Sequence, residues 1–165
     1  MDDSNVRDLL ELIKKTDRIF LLAAGREGLS TRSFAMRLMH LGKQSYWIWD
    51  DTTPSIGEGD QMICACGSAN VGNENYIAKM AKDNGATLEL ITPSNEGYLL
   101  SIADLTVNVP AAAYKATGDF VPTEQLMGNL FEQALFILYD VLVMMLREEM
   151  GISKEEMVSR HRNVE

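Results

Sequence analysis

The stretch over residues 61–73 constrains the fold more than any other part of the chain. Residues 62–66 (Met-Ile-Cys-Ala-Cys) form a short apolar run bounded by polar residues and glycine, the pattern of a strand covered on both faces. The run breaks into Gly67, Ser68, Ala69 and Asn70, and beyond Asn73 apolar residues return at Ile77, Met80 and Ala81 with helical spacing. A small-residue loop between a buried strand and a helix leaves backbone N–H groups unpaired at the helix start. Those groups and the helix dipole attract an anion such as a phosphate. Two readings stay open on these residues, a ligand-binding loop and a plain strand-to-helix connection.

The flanking chain repeats the pattern. Val6, Leu9, Leu10 and Ile13 give an amphipathic opening helix over 5–15, with Ser4 or Asn5 as its cap. Residues 18–24 read as a strand, and Gly25-Arg26-Glu27-Gly28 turns it into a helix over about 31–41. A second strand is expected over 45–49, followed by a polar loop marked by Pro54 and Gly57. A fourth follows over 87–92, then a short helical piece around 98–103 and a fifth strand over 105–109. Alternation of strands and helices implies an α/β fold, a parallel sheet with helices on both faces whose ligands lie beyond the C-terminal strand ends.

Residues 110–123 show no period and read as a loop. The helix expected over 128–150 is apolar nearly all round, which makes it central to the fold or shared with another subunit; in a chain this short the subunit interface is favoured. Ser153 and Glu156 have capping-box spacing and open a last helix.

The chain has 165 residues, 46% of them hydrophobic, which fits a single domain with a sizeable core. A formal charge of −9 without Lys/Arg clusters argues against nucleic acid and anionic membrane surfaces as partners. The longest apolar run, 134–146, contains Asp140 and falls short of the roughly 20 residues of a membrane span. The first four residues, Met-Asp-Asp-Ser, lack the basic start and apolar core of a secretion signal. Cys64 and Cys66, two apart on one strand, cannot bridge each other comfortably, so a reducing compartment, the cytoplasm, is expected.

Several blocks together resemble a known family: Gly25-Arg26-Glu27-Gly28; the run from Phe34 through His40, Leu41 and Gly42; Thr52-Thr53-Pro54 with Gly57, Gly59 and Asp60; Met127-Gly128 with Phe131 and Glu132; and the closing Arg160-His161 with Asn163 and Glu165. They look like the 6-phospho-3-hexuloisomerases, which are SIS (sugar isomerase) domain proteins, and the similarity runs over almost the whole chain. The resemblance implies a three-layer, flavodoxin-like sandwich with a five-stranded parallel sheet, and a homo-oligomer, a dimer or more usually a tetramer. It also implies interconversion of 3-hexulose 6-phosphate and fructose 6-phosphate without a metal or other cofactor. By resemblance Glu132 is the base and His161 the group that shuttles protons on the oxygens or helps open the sugar ring. The substrate and its phosphate would meet Gly25, Arg26, Glu27, Cys66, Gly67, Ser68, Asn70 and Val71. Taken alone, Glu132 reads as a surface residue favoured by a helix dipole and His161 as a solvated side chain between two arginines.

The departures cluster at the ligand. Where the family's loop usually reads Ser-Gly-Ser-Gly-x-Thr, this chain has Cys66-Gly67-Ser68-Ala69-Asn70-Val71, so two hydroxyls are gone. A hydrogen bond to a charged group contributes about 1.5–3 kcal/mol, so losing two without replacement weakens phosphate binding by roughly 10²–10⁴-fold. Glu27 stands for the family's serine, Leu126 for a proline and Asn129 for a small hydroxyl residue. Three readings follow: an isomerase for this or a related ketose phosphate, a noncatalytic SIS domain that binds a phosphosugar as sensor or scaffold, and an interaction role with a vestigial pocket. Zinc at the cysteines with His40 or His161 is disfavoured, because C-x-C is not the spacing of a structural site. A reactive Cys66 is conceivable beside a helix start, but a small buried residue is the better reading. Trp47 and Trp49 are expected on one strand face, and Asp50 and Asp51 in a solvated turn.

Overall fold

The computed structural model describes residues 3–164; the readings on Met1, Asp2 and Glu165 fall outside that range. Five strands, β1 (Arg18–Leu22), β2 (Gln44–Trp47), β3 (Gln61–Ala65), β4 (Thr87–Thr92) and β5 (Leu105–Asn108), form one sheet in the order β2-β1-β3-β4-β5. Every pairing is parallel. Helices α1 (Asp3–Lys15), α2 (Gly25–His40), α3 (Gly72–Asp83), α4 (Tyr98–Ile102), α5 (Asn129–Glu149) and α6 (Lys154–Ser159) complete the chain. This is the flavodoxin-like order anticipated above.

Period-two alternation divides each strand between two cores. Ile19, Leu21, Ile63 and Ile91 face α1, α2 and α5, where Leu9, Phe34, Leu38, Phe131, Leu135 and Tyr139 meet them. Phe20, Leu22, Met62, Leu88 and Leu90 face α3 and α4, with Ala78, Ala81 and Leu99. Small alanines on α3 let that helix lie close to the strands. Phe34 and Tyr139 stack at 4.4 Å between α2 and α5, and the Tyr139 hydroxyl lies 3.1 Å from that of Thr31, so the buried phenol has a partner. The α6 capping box forms as its spacing implies.

Four features differ from the sequence reading. Helix α2 starts at Gly25 rather than near Thr31, because Gly25 takes a positive φ of 55° and lets the helix begin directly behind β1. β2 ends at Trp47, so Trp49 lies in the following turn, where its indole N–H donates to the Ala23 carbonyl and 46% of the residue stays exposed. Only Trp47 packs against the core. Strands and helices do not alternate throughout: the described residues between β2 and β3 contain no helix, and Pro54, Gly57 and Gly59 supply the reason. Finally, α5 is by length and apolar composition sufficient to cross a membrane, which the 134–146 run alone did not show. Its Phe131, Leu135, Leu138, Leu142 and Leu146 side are nevertheless committed to the core.

One polar feature sits badly in the sheet. Glu89 and Gln61 are fully buried, and neither the Glu89 carboxyl oxygens nor the Gln61 amide atoms have a hydrogen-bond partner. Burial pushes the Glu89 carboxyl up to about 7 against the smaller opposing pull of nearby Gln61 and Thr87. A carboxyl raised in the folded state binds more protons folded than unfolded between its ordinary value of 4.5 and about 7. Stability therefore falls as pH rises through that window and stays reduced above it. Glu89→Gln is expected to be more stable than the wild type by roughly 1–3 kcal/mol at pH 8, with the difference vanishing near pH 4.5. Urea unfolding at both pH values checks this, and equal stabilities at pH 8 would refute it.

Candidate functional site

In the strand order the chain steps outward from β1 to β2 and returns on the other side at β3, so the exits of β1 and β3 diverge around a crevice. Ile19↔Gln61 through Leu22↔Cys64 fix their register and bring the loop after β1 level with the loop after β3. A cavity of about 450 Å³ opens there, lined by Gly25, Arg26 and Glu27 from the first loop and Gly67, Ser68, Asn70 and Val71 from the second. Glu132, in the first turn of α5, closes one side.

The β3 loop is braced from below. The Ser94 hydroxyl donates to the Gly67 carbonyl at 2.7 Å, and Ser94 also accepts from Thr117 N–H. Ala69 holds φ 50° and its carbonyl accepts from Leu99 N–H at 3.0 Å; a Cβ on the facing Gly97 would come within 2.5 Å of that carbonyl oxygen. Ala69 thus carries a left-handed strain that a glycine there would avoid, a cost of about 1 kcal/mol. Helix α3 begins at Gly72 with no side chain capping it, which leaves its N-terminal dipole facing the cavity.

Glutamates dominate the electrostatics. Gly67 N–H donates to Glu27 Oε2 at 3.0 Å, so the carboxyl of the first loop sits on the second. A Cβ on Gly67 would meet Glu27 Oε1 and the Ala113 side chain, each at 2.7 Å, so only glycine permits the approach. Burial lifts the Glu27 carboxyl to about 8, helped by Glu74 and Glu132 and opposed by Gly67 N–H. Glu132 is 9% exposed, and Arg26 Nη1 pairs with its Oε2 at 3.2 Å while also donating to Asn129. Glu132 is therefore a buried, cation-paired carboxylate facing a cavity rather than a solvated dipole partner.

Two expected site residues stand apart. Cys66 does not line the cavity: it is fully buried in the core on the α3 side with Cys64, and its sulfur lies 4.0 Å from the Ser68 hydroxyl. Burial and the neighbouring Glu74 push its thiol up, opposite to an activated cysteine. His161 lines a different hollow with Arg37, His40 and Met157, its ring stacked on His40 at 5.2 Å. Asp50 faces Arg32 at 3.3 Å in a surface turn, away from the cavity.

The cavity also contains residues that sequence reasoning missed. Glu74 lines it while only 1% exposed, and neither carboxyl oxygen has a hydrogen-bond partner. Tyr114, Lys115 and Met127 reach it from the segment between β5 and α5. That segment folds back through the Ala111↔Val121 bridge and is tied to α5 by Phe131 N–H donating to the Ala112 carbonyl. Gly128, at φ 83°, makes the close approach: a Cβ there would lie 2.7 Å from Tyr114 N. Glycine at 128 was a visible signal, but the partner segment has no periodicity to read.

Set beside known proteins, the chain is 34% identical to the 3-hexulose-6-phosphate isomerase of Bacillus subtilis, over 95% of this chain and 85% of that one. It is 35% identical to the 3-hexulose-6-phosphate isomerase of Mycobacterium gastri, over 100% and 82%. The chain belongs to the 3-hexulose-6-phosphate isomerase family. A crystal structure from Methanococcus jannaschii, described as inferring a molecular function of 3-hexulose-6-phosphate isomerase, matches with a TM-score of 0.87 at 30% identity, covering 99% of this chain and 87% of that one. No family model matches the sequence. Within the 3-hexulose-6-phosphate isomerase family's fold, this chain lines its crevice with the carboxyls of Glu27 and Glu74.

Both thiols are expected to be inert in the folded protein. A disulfide reagent at pH 8 should label Cys64 and Cys66 about 100-fold or more slowly in buffer than in urea, because both are buried and their thiolates disfavoured. Fast native labelling at Cys66 would return its sulfur to the cavity.

Proposed function

We propose that the protein interconverts 3-hexulose 6-phosphate and fructose 6-phosphate through an enediol, with Glu132 as the base. The observation that carries this reading is the Glu132 carboxylate, buried at the cavity wall and oriented by Arg26, in a chain of this family. The reaction moves a carbonyl from C3 to C2. Glu132 removes the proton from C2 beside the C3 carbonyl, giving the enediol, and returns a proton to C3 as the carbonyl forms at C2. The hydroxyl proton leaves O2 and one arrives on O3, so atoms and charge balance. Arg26 holds the Glu132 carboxyl at the cavity wall, and a base within hydrogen-bond reach contributes typically 10²–10⁴-fold.

The phosphate is assigned to the β3 loop, Ser68, Asn70 and the start of α3, with Lys115 supplying a cation at the rim. His161 lies outside its own chain's cavity, so in this reading it serves the cavity of a second copy. A surface for that copy exists. Ile137, Val141 and Met144 on α5 are 67%, 45% and 70% exposed at helical spacing, and Leu29 and Met36 on the adjoining α2 are also exposed. The helices from 128 onward thus form a homo-oligomer interface, and two free buried thiols fit a cytoplasmic protein.

A second reading, a noncatalytic domain that binds a sugar phosphate as sensor or scaffold, is favoured by one observation: Glu27 already holds the Gly67 N–H. Fructose 6-phosphate in D₂O separates the two. Exchange at C3 or a new ketose signal by NMR, reduced about 10²–10⁴-fold in Glu132→Gln, is the expected result. Ligand-induced shifts without exchange would select the second reading. For His161, mixing the inactive variants Glu132→Gln and His161→Ala under subunit exchange is expected to restore about a quarter of wild-type activity, the share of sites completed by random pairing in a dimer. No recovery would confine His161 to its own chain or remove it from the reaction.

A further inference from the structure

A phosphate loop whose Gly67 N–H is already bonded to a carboxyl oxygen has an electrostatic problem. An ionised Glu27 there would repel the anion the loop is built to hold. The cation nearest in sequence does not solve it, since Arg26 is engaged with Glu132 and Asn129. Across the cavity Glu27 meets Glu74 from α3, Glu132 from α5, and Tyr114 and Lys115 from the segment before α5; Cys64 and Cys66 lie behind on β3 and its exit. Among the described residues no ion pair to Glu27 forms. Behind it Glu74 is 1% exposed, lines the same cavity, and has no hydrogen-bond partner on either carboxyl oxygen. A buried orphan carboxyl is costly, and a carboxyl pair can remove the cost by retaining a proton.

We propose that Glu27 binds the ligand's phosphate as a neutral acid, donating its proton in a hydrogen bond to a phosphate oxygen, with the Glu74 carboxyl behind it keeping that proton in place. The proposal rests on the sugar-phosphate reading of this cavity. Glu27 then supplies one donor, as a serine would, while its other oxygen still accepts from Gly67 N–H. The upward push on Glu27 to about 8, and on Glu74 in the same direction, has burial as its first cause in both. The proton balance is explicit. Below about 8 the acid is already protonated and binding takes up nothing; above it, each complex formed takes one proton from solvent. Affinity therefore falls about tenfold per pH unit on the alkaline side.

Isothermal titration calorimetry with inorganic phosphate and with fructose 6-phosphate, from pH 7 to 9.5, tests this. The proteins are the wild type, Glu27→Gln, Glu27→Ser and Glu74→Gln, with folding of each checked by circular dichroism. Wild-type affinity is expected to fall about tenfold per unit above pH 8, with about one proton taken up per ligand in buffers of different ionisation enthalpy. Glu27→Gln and Glu27→Ser keep every other charged group and should hold their pH 7 affinity to within about threefold up to pH 9.5. In Glu74→Gln the fall should begin at lower pH, because removing the neighbouring carboxyl lets Glu27 ionise sooner. A flat wild-type profile, the same fall in both Glu27 variants, or no binding of either ligand at pH 7 would overturn the proposal. Proton-linked phosphate binding without turnover of fructose 6-phosphate would remove the isomerase reading and leave this one standing. Turnover with flat binding would do the reverse.

Discussion

Parallel pairing of β1 with β3 is the constraint on which the rest depends. Four residue pairs, from Ile19↔Gln61 to Leu22↔Cys64, hold two strands that are separated in sequence by all of α2 and β2. A slip of one residue would turn Phe20 and Leu22 toward α2 and Ile19 and Leu21 toward α3, exchanging two well-matched cores. The same register sets the height of Gly25-Arg26-Glu27 relative to Gly67-Ser68, so packing in the sheet decides whether Glu27 can reach Gly67 N–H at all. The site inherits its precision from apolar residues that never touch it.

Carboxyl groups buried in a chain of net charge −9 form the second theme. Each is handled differently. Glu132 is paired with the Arg26 guanidinium at 3.2 Å. Glu27 is answered by one backbone N–H, and Glu74 by no hydrogen bond. Glu89 sits within β4 on the α1/α2/α5 side, beside an equally unsatisfied Gln61, and has no cavity to serve. Burial acts alike on Glu27 and Glu89, so a raised carboxyl by itself marks nothing; what distinguishes Glu27 is the loop N–H it holds and the cavity it faces.

The sheet was legible because each strand is a short apolar run between polar breaks, and α3, α5 and the α6 cap were legible from period and spacing. Less could be read where local signals are silent. Trp49 alternates with Trp47 as a strand residue would, yet the chain turns at Ile48 and the indole bonds to Ala23 instead. Tyr114 and Lys115 lie in a stretch with no period, and only the tertiary bond from Phe131 to Ala112 brings them to the cavity. Glu74 looks like any acidic residue in a first helical turn, where exposure and burial give the same sequence. Cys66 matched the position of a ligand-binding residue, but period two sends its side chain to the opposite core.

The changed loop need not be a weakened one. Losing two hydroxyls removes two donors to an anion, each contributing about 1.5–3 kcal/mol, and nothing in the backbone restores them. A carboxyl at 27 restores a donor only while protonated, and protonation requires an environment that disfavours the anion. Burial beneath the loop, Glu74 behind and Glu132 beside it together create that environment, while Arg26, the cation next in sequence, is held by Glu132 and Asn129. A single choice of partner for Arg26 thus separates the two carboxyls of this cavity: it pairs with Glu132 and leaves Glu27 without an ion pair among the described residues.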